Sequence, residues 1–202
     1  GIINFMICIK DIASYFPQKK LSNFERLEQF NLNKNFLVEK IGTNQVYIKD
    51  KNQETSDLCY EAFKVLESKV SEVSDKIDCL IVCTQNPDGK GIPHTSSILH
   101  GKLGLNEDCA CFDISLGCSG YVYGLSIIRG FMEINNFSNG LLFTCDPYSK
   151  IIDYNDKNTS LLFSDAATVT FLETIENEED IKNKLILRNF LFSTKGKEGE
   201  AL

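Results

Sequence analysis

Runs of consecutive apolar residues alternate along this chain with stretches whose apolar positions recur every three or four residues, the two spacings that separate buried strands from amphipathic helices. The run MICIKDIASYF, residues 6–16, reads as a first strand. Two short helical segments follow at 23–30 and 33–41, and Gly42 stands where a C-terminal cap would close the second. In TSDLCYEAFKVLESKV, 55–70, the residues Leu58, Ala62, Val65, Leu66 and Val70 share one face of a helix opened by a Thr or Ser cap.

The continuous apolar run 77–84 predicts a strand buried on both faces. Residues 85–93, with two prolines and two glycines, form a loop. Residues 95–103 read as a short helix stopped by Gly104, and 109–115 as another buried strand. The segment 120–134 is apolar almost all round, which predicts a helix at the centre of the domain. Strands follow at 141–145 and at 161–172, the latter broken by SDAAT, then a solvated acidic turn at 173–180 and a last strand, LILRNFLF. Strands alternating with helices predict an α/β fold, a mostly parallel sheet covered by helices on both faces.

Composition narrows the function. In 202 residues, 43% hydrophobic and 24% charged, there is material for one substantial core, and no repeat or low-complexity stretch interrupts it. A net charge of -7, with no basic run longer than Lys19-Lys20, argues against a nucleic-acid partner. No apolar stretch nears the roughly 20 residues that a membrane span needs, and the first residues, GIINFMICIKD, lack a secretory plan; a cytoplasmic protein is expected. The eight cysteines sit mostly inside apolar runs, as buried thiols do in a reducing compartment. Without a C-x-x-C pair, and with His94 and His100 six residues apart, no metal site is expected.

Chemistry concentrates in CFDISLGCSGYVYGLSIIRG, 111–130. A strand runs into Leu116-Gly117, a tight turn presents Cys118, and Ser119-Gly120 opens a helix. A thiol there faces the positive end of the helix dipole and free backbone N–H groups, which favour thiolate and would stabilise the oxyanion formed by attack on a thioester. Small neighbours let backbone and acyl chain approach together. Local features leave two readings for Cys118, an acyl-accepting nucleophile or a core thiol like the other seven.

The segment resembles the nucleophile signature of β-ketoacyl-ACP synthase III and its thiolase-superfamily relatives, carried here by Asp113, Gly117, Cys118, Ser119, Gly120 and Tyr121. In the same order, TSDLCYEAF resembles the family's early helix, DCLIVCTQNPDG and IPHTSSILHGKLG its strand, loop and helix before the nucleophile, and LLFSDAAT its glycine-rich strand after it. The resemblance implies a thiolase-like fold, of which 6–175 would be the N-terminal half and 176–202 the connection into, and start of, the second half. It implies Cys118 as catalytic nucleophile, acyl-CoA and acyl carrier protein as substrates, no bound cofactor, and a homodimer. The implied reaction condenses the acyl group with malonyl-ACP, in fatty-acid or related biosynthesis. The His and Asn that complete the family's site come from its C-terminal half, and neither His94 nor His100 matches that His.

Several positions depart from the family pattern. The adenine-stacking Trp corresponds to Phe36, and two CoA-contacting Arg positions to Lys40 and Lys157; Lys lacks Arg's planar fork, so the donor is expected to bind differently or to be an acyl-ACP. Ser164 and Ala166 stand where the family has Gly. Ile92, before Pro93, matches the loop residue that reaches the partner subunit's acyl pocket, though it reads equally as core. Two other readings stay open: a thiolase-fold acyltransferase with an amine or hydroxyl acceptor, and a non-catalytic dimer partner, which the retained Cys118 disfavours.

Overall fold

The computed structural model describes residues 6–71, 73, 77–176 and 181–199. Its strands are β1 (Met6–Tyr15), β2 (Lys19–Ser22), β3 (Gln45–Ile48), β4 (Cys79–Cys83), β5 (Ala110–Ile114), β6 (Asn139–Cys145), β7 (Ala167–Ile175) and β8 (Leu185–Ile186). Six of them form one sheet in the order β5-β4-β6-β7-β1-β8, and β2 pairs with β3 as a separate ribbon. The helices are α1 (Lys34–Phe36), α2 (Thr55–Lys69), α3 (Thr95–Leu103), α4 (Gly120–Asn135) and α5 (Lys157–Ser160).

Helices cover both faces of the sheet, as the alternating pattern predicts. On one face Leu58, Ala62, Phe63 and Leu66 of α2 and Leu99 of α3 pack on Leu80, Val82, Leu141, Phe143 and Val169. On the other, Leu125, Ile128 and Met132 of α4 pack on Cys79, Ile81, Leu142 and Leu172. Side chains alternate between faces along each strand, and a bulge between Ile9 and Asp11 shifts the register of β1. Ile7 thereby serves the α4 face and Ala13 the α2 face, although both are odd-numbered.

Two expectations need correction. The sheet is mixed rather than mostly parallel: β4 runs parallel to β5 and β6, whereas β6–β7, β7–β1 and β1–β8 are antiparallel. Helical crossovers force parallel pairing around β4, but the long excursion from β6 to β7 contains only short helical turns and returns the chain in the opposite direction. Nor is α4 buried all round. Gly120, Gly124, Leu125, Ile128 and Met132 are buried, while Val122, Ile127 and Ile134 face outward and are exposed.

Other elements differ in extent. Every residue of β4 is buried, but β5 is half-buried throughout, since it forms the sheet's edge. α2 is capped by Glu54, whose N–H donates to Asp57 Oδ2 at 2.8 Å, rather than by Thr55 or Ser56. The segment 23–30 holds only a short helical turn at Phe24–Arg26, while α1 widens at Leu37–Ile41 and ends at Gly42, left-handed with φ 77°. Residues 161–166 are not strand, and β7 runs on to Ile175. Glu173 is therefore held in the sheet, by Lys10 at 2.8 Å and Lys184 at 2.6 Å, and not in a solvated turn. Of LILRNFLF only Leu185–Ile186 is strand, and residues 177–180 lie outside the described residues.

Candidate active site

The parallel strands β4, β5 and β6 end at one edge of the sheet, where ligands of open α/β sheets characteristically sit. A cavity of about 340 Å³ opens there, lined by Cys83, Leu116, Gly117, Cys118, Tyr121, Thr144, Asp146, Tyr148, Phe163 and Thr168 among others. Cys118 is the one thiol classed as exposed; Cys111 is half-buried and the other six are buried.

The turn that presents Cys118 is built by close packing. Gly120 N–H donates to Gly117 O at 2.8 Å, closing the turn into α4. A Cβ on Gly120 would overlap Cys83 Sγ and come within 3.2 Å of Leu116 Cβ, so only glycine lets the helix start this close to β4. Cys83 itself donates to Leu116 O at 3.5 Å. Cys118 thus stands ahead of the first turn of a long helix, with that helix's positive end behind it.

Aspartates fix the surrounding loops. Both oxygens of Asp113, at the end of β5, accept the Thr95 and Ser96 N–H groups at 2.8 Å, so the signature aspartate caps α3 instead of lining the cavity. Asp88 accepts from Ser56 N–H at 2.8 Å and ties the 85–93 loop to α2. Asp165 accepts from Lys49 N–H at 2.8 Å and Ser149 N–H at 2.9 Å, and Ser164 Oγ, in the family's glycine position, accepts from Tyr47 N–H at 2.7 Å. The departure at Ser164 is absorbed by that bond to the ribbon.

Within the cavity wall, Asp146 Oδ1 accepts from Gln85 N–H at 2.7 Å, Thr84 Oγ1 at 3.1 Å and Asn86 Nδ2 at 3.3 Å. Tyr148 stacks on Phe163 with ring centroids 4.4 Å apart. Burial pushes the Tyr148 phenol up, and the nearby Asp146 and Cys118 add to the rise. Thr144 and Thr168, cross-strand partners, share a hydroxyl hydrogen bond, and Tyr121 OH lies 3.0 Å from Thr170 Oγ1. None of the residues from β6 onward in this wall was singled out for chemistry in the sequence, except Ser164 and Ala166 as departures. Their only signal is position, at the strand ends that meet the nucleophile turn.

The remaining sequence-derived candidates lie elsewhere. Phe36, Lys40 and Lys157 are exposed and none lines the cavity; Ile92 is 91% exposed near the end of the loop that leads into α3. His94 precedes α3, and His100 Nε2 lies 2.9 Å from Asn106 O. Among the described residues no group of three or more His, Cys, Asp or Glu is placed to hold a metal, and no helix is long and apolar enough to cross a membrane.

Comparison with known proteins bears on this site directly. The family model described as 3-oxoacyl-[acyl-carrier-protein (ACP)] synthase III matches residues 112–187, which begin in β5 and take in Cys118 and the strands beyond it. β-Ketoacyl-[acyl-carrier-protein] synthase III of Helicobacter hepaticus is 34% identical over 171 residues, 85% of this chain and 51% of that protein. The namesake from Caldanaerobacter subterraneus is 36% identical over 82% of this chain and 49% of its own. A crystal structure of a 3-oxoacyl-(acyl-carrier-protein) synthase III superposes with a TM-score of 0.87 at 31% identity, over 96% of this chain and 56% of that one.

The chain is a β-ketoacyl-ACP synthase III-like domain of the thiolase superfamily. Its mixed sheet with helices on both faces is that fold in part. The synthase III-like domain spans about half the length of the curated relatives it matches.

Proposed function

We propose that Cys118 takes an acyl group from acyl-CoA, or from an acyl carrier protein thioester, and that the whole protein condenses it with malonyl-ACP to give a β-ketoacyl-ACP. The supporting observation is the contrast in placement: Cys118 is exposed at a cavity mouth ahead of a helix start, where every other thiol is buried or half-buried. In the first step the Cys118 thiolate attacks the thioester carbonyl. The N–H groups of the turn and of the first turn of α4 receive the oxyanion, the C–S bond to CoA breaks, and the CoA thiolate leaves and takes up a proton. In the second, malonyl-ACP loses CO2, its carbanion attacks the acyl carbon, and the Cys118 sulfur departs as thiolate.

Phe36, Lys40 and Lys157 serve as donor contacts in this reading, with an aromatic face for stacking and two cations for phosphates. Ile92, an apolar side chain held out on a loop, reaches the acyl pocket of a second subunit. The edge strand β5, whose outer side has no strand partner among the described residues, offers a surface for that homodimer. Residues 6–175 form the catalytic half-unit and 176–202 lead out of it, although β8 already pairs with β1.

The weaker cations at positions 40 and 157 favour a second reading, in which the acyl group passes to an amine or hydroxyl. Supplying the whole protein with acetyl-CoA and either malonyl-ACP or a panel of amines and alcohols separates the two. Formation of acetoacetyl-ACP with matching CO2 release supports condensation; acylated acceptor without CO2 release replaces it with simple transfer.

A further inference from the structure

Arg26 is a buried cation with no carboxylate among its described partners. It is only 9% exposed. Its Nη1 donates to Ser160 O at 2.9 Å and to Asn23 Oδ1 at 3.4 Å, and its Nη2 to Ser160 Oγ at 2.8 Å and Tyr154 O at 3.0 Å. The guanidinium centre also lies 5.0 Å from the Phe30 ring centroid. Every one of these acceptors is neutral, so the charge is desolvated without a counter-charge, an arrangement that a similarly sized apolar residue would avoid.

What the guanidinium achieves is a join between two stretches far apart in sequence. The join is reinforced by Asn23, 1% exposed, whose Nδ2 donates to Thr43 O at 2.8 Å and Leu161 O at 2.9 Å. One stretch leads from Arg26 into α1 and carries Phe36 and Lys40; the other surrounds α5 and carries Lys157. Regular structure in both stretches is short, a single helical segment over 34–41 in one and the four residues of α5 in the other, so the bonds that run between them help to fix their course. The planar fork reaches Tyr154 O and Ser160 O at once, which a lysine's single ammonium on a flexible stem does less well.

We infer that Arg26 is a positioning residue for the acyl donor, holding the 36–40 and 157 surfaces in one mutual placement so that they meet the nucleotide end of a CoA thioester together. The inference rests on the proposed donor role of Phe36, Lys40 and Lys157. Arg26 touches neither donor nor nucleophile in this account.

The test uses the whole protein and two donors, acetyl-CoA and the acetyl thioester of N-acetylcysteamine, which has the same reacting bond but no nucleotide. Acylation of Cys118 is followed by mass spectrometry over a range of donor concentrations for Arg26→Met and Arg26→Lys. Arg26→Met is expected to raise the half-saturating acetyl-CoA concentration about tenfold with the maximal rate within about twofold, and to leave the short donor unchanged. Arg26→Lys, which keeps the charge and loses the fork, falls between. Equal loss with both donors, or no change with either, overturns the inference; should Arg26→Met fail to fold, Arg26→Lys decides by the same criterion. A parallel Lys40→Ala/Lys157→Ala variant separates the two ideas, because an unchanged acetyl-CoA dependence there defeats the donor-contact reading itself, whatever Arg26 does.

Discussion

Cys111 and Cys118 stand seven residues apart on one passage from strand to turn, and the fold gives them opposite surroundings. Cys111 lies within β5, where burial first, and the neighbouring Asp113 after it, pushes its thiol upward. The same desolvation acts on Cys8, Cys83 and Cys145, and it pushes Cys79 and Cys109 up to about 12. Cys118, outside the sheet, has solvent, a cavity and a helix start instead. Residue type alone therefore says little about a thiol here; the sheet interior silences it and the edge of the parallel strands exposes it.

The sharpest way to break this contrast is to remove its exposed member. Cys118→Ala is expected to abolish acyl transfer by more than about a thousandfold while leaving unfolding free energy within about 0.5 kcal/mol, since an exposed side chain is lost without a cavity. Activity and denaturant unfolding measured on one preparation check both halves. Cys79→Ala should do the reverse, lowering stability by about 1 kcal/mol through a lost core contact with no loss of acylation at saturating donor.

Next in size is the packing that holds the turn. Gly120→Val places side-chain atoms against Cys83 Sγ and Leu116 and is expected to cost about 1 to 3 kcal/mol and slow acylation as Cys118 shifts. Asp113→Ala removes both acceptors from the start of α3 and should cost about 1 to 2 kcal/mol, with a smaller effect on acylation because the carboxylate caps α3 rather than facing the cavity. Thermal or denaturant unfolding of the two variants ranks them.

A further contrast lies in alkaline pH. Cys79 and Cys109 have a usual value of 9.0 and about 12 in the fold, so between those values the unfolded chain has released protons that the folded one keeps. Their contribution to stability is complete below about pH 9 and is lost as pH rises towards 12. Denaturation midpoints should fall across that window, and the fall should shrink in Cys79→Ala.

Much of this was legible in the sequence, and the rest was hidden for identifiable reasons. β4 and the Leu141–Phe143 centre of β6 announce themselves because both faces are buried and the residues there run apolar. The ribbon of β2 and β3 does not, since KKLS and QVYI are four-residue strands with polar ends, stabilised by each other across a long separation. The parallel sheet inferred from alternation fails at β7 and β1 because strand direction depends on where a connection re-enters. Cys118 was visible through its glycines and the helix after it. Asp146, Tyr148, Phe163 and the Thr144–Thr168 pair were not, because only the pairing of β6 with β4 and β7 brings them to the nucleophile.

The most direct test of the contrast is to treat the whole folded protein with acetyl-CoA and longer acyl-CoAs, then map covalent mass increases over peptides covering all eight cysteines. An acyl adduct is expected on Cys118 and on none of the other seven, absent in Cys118→Ala. An adduct on any sheet thiol in preference to Cys118, or no adduct at all on a folded, full-length protein, would contradict it.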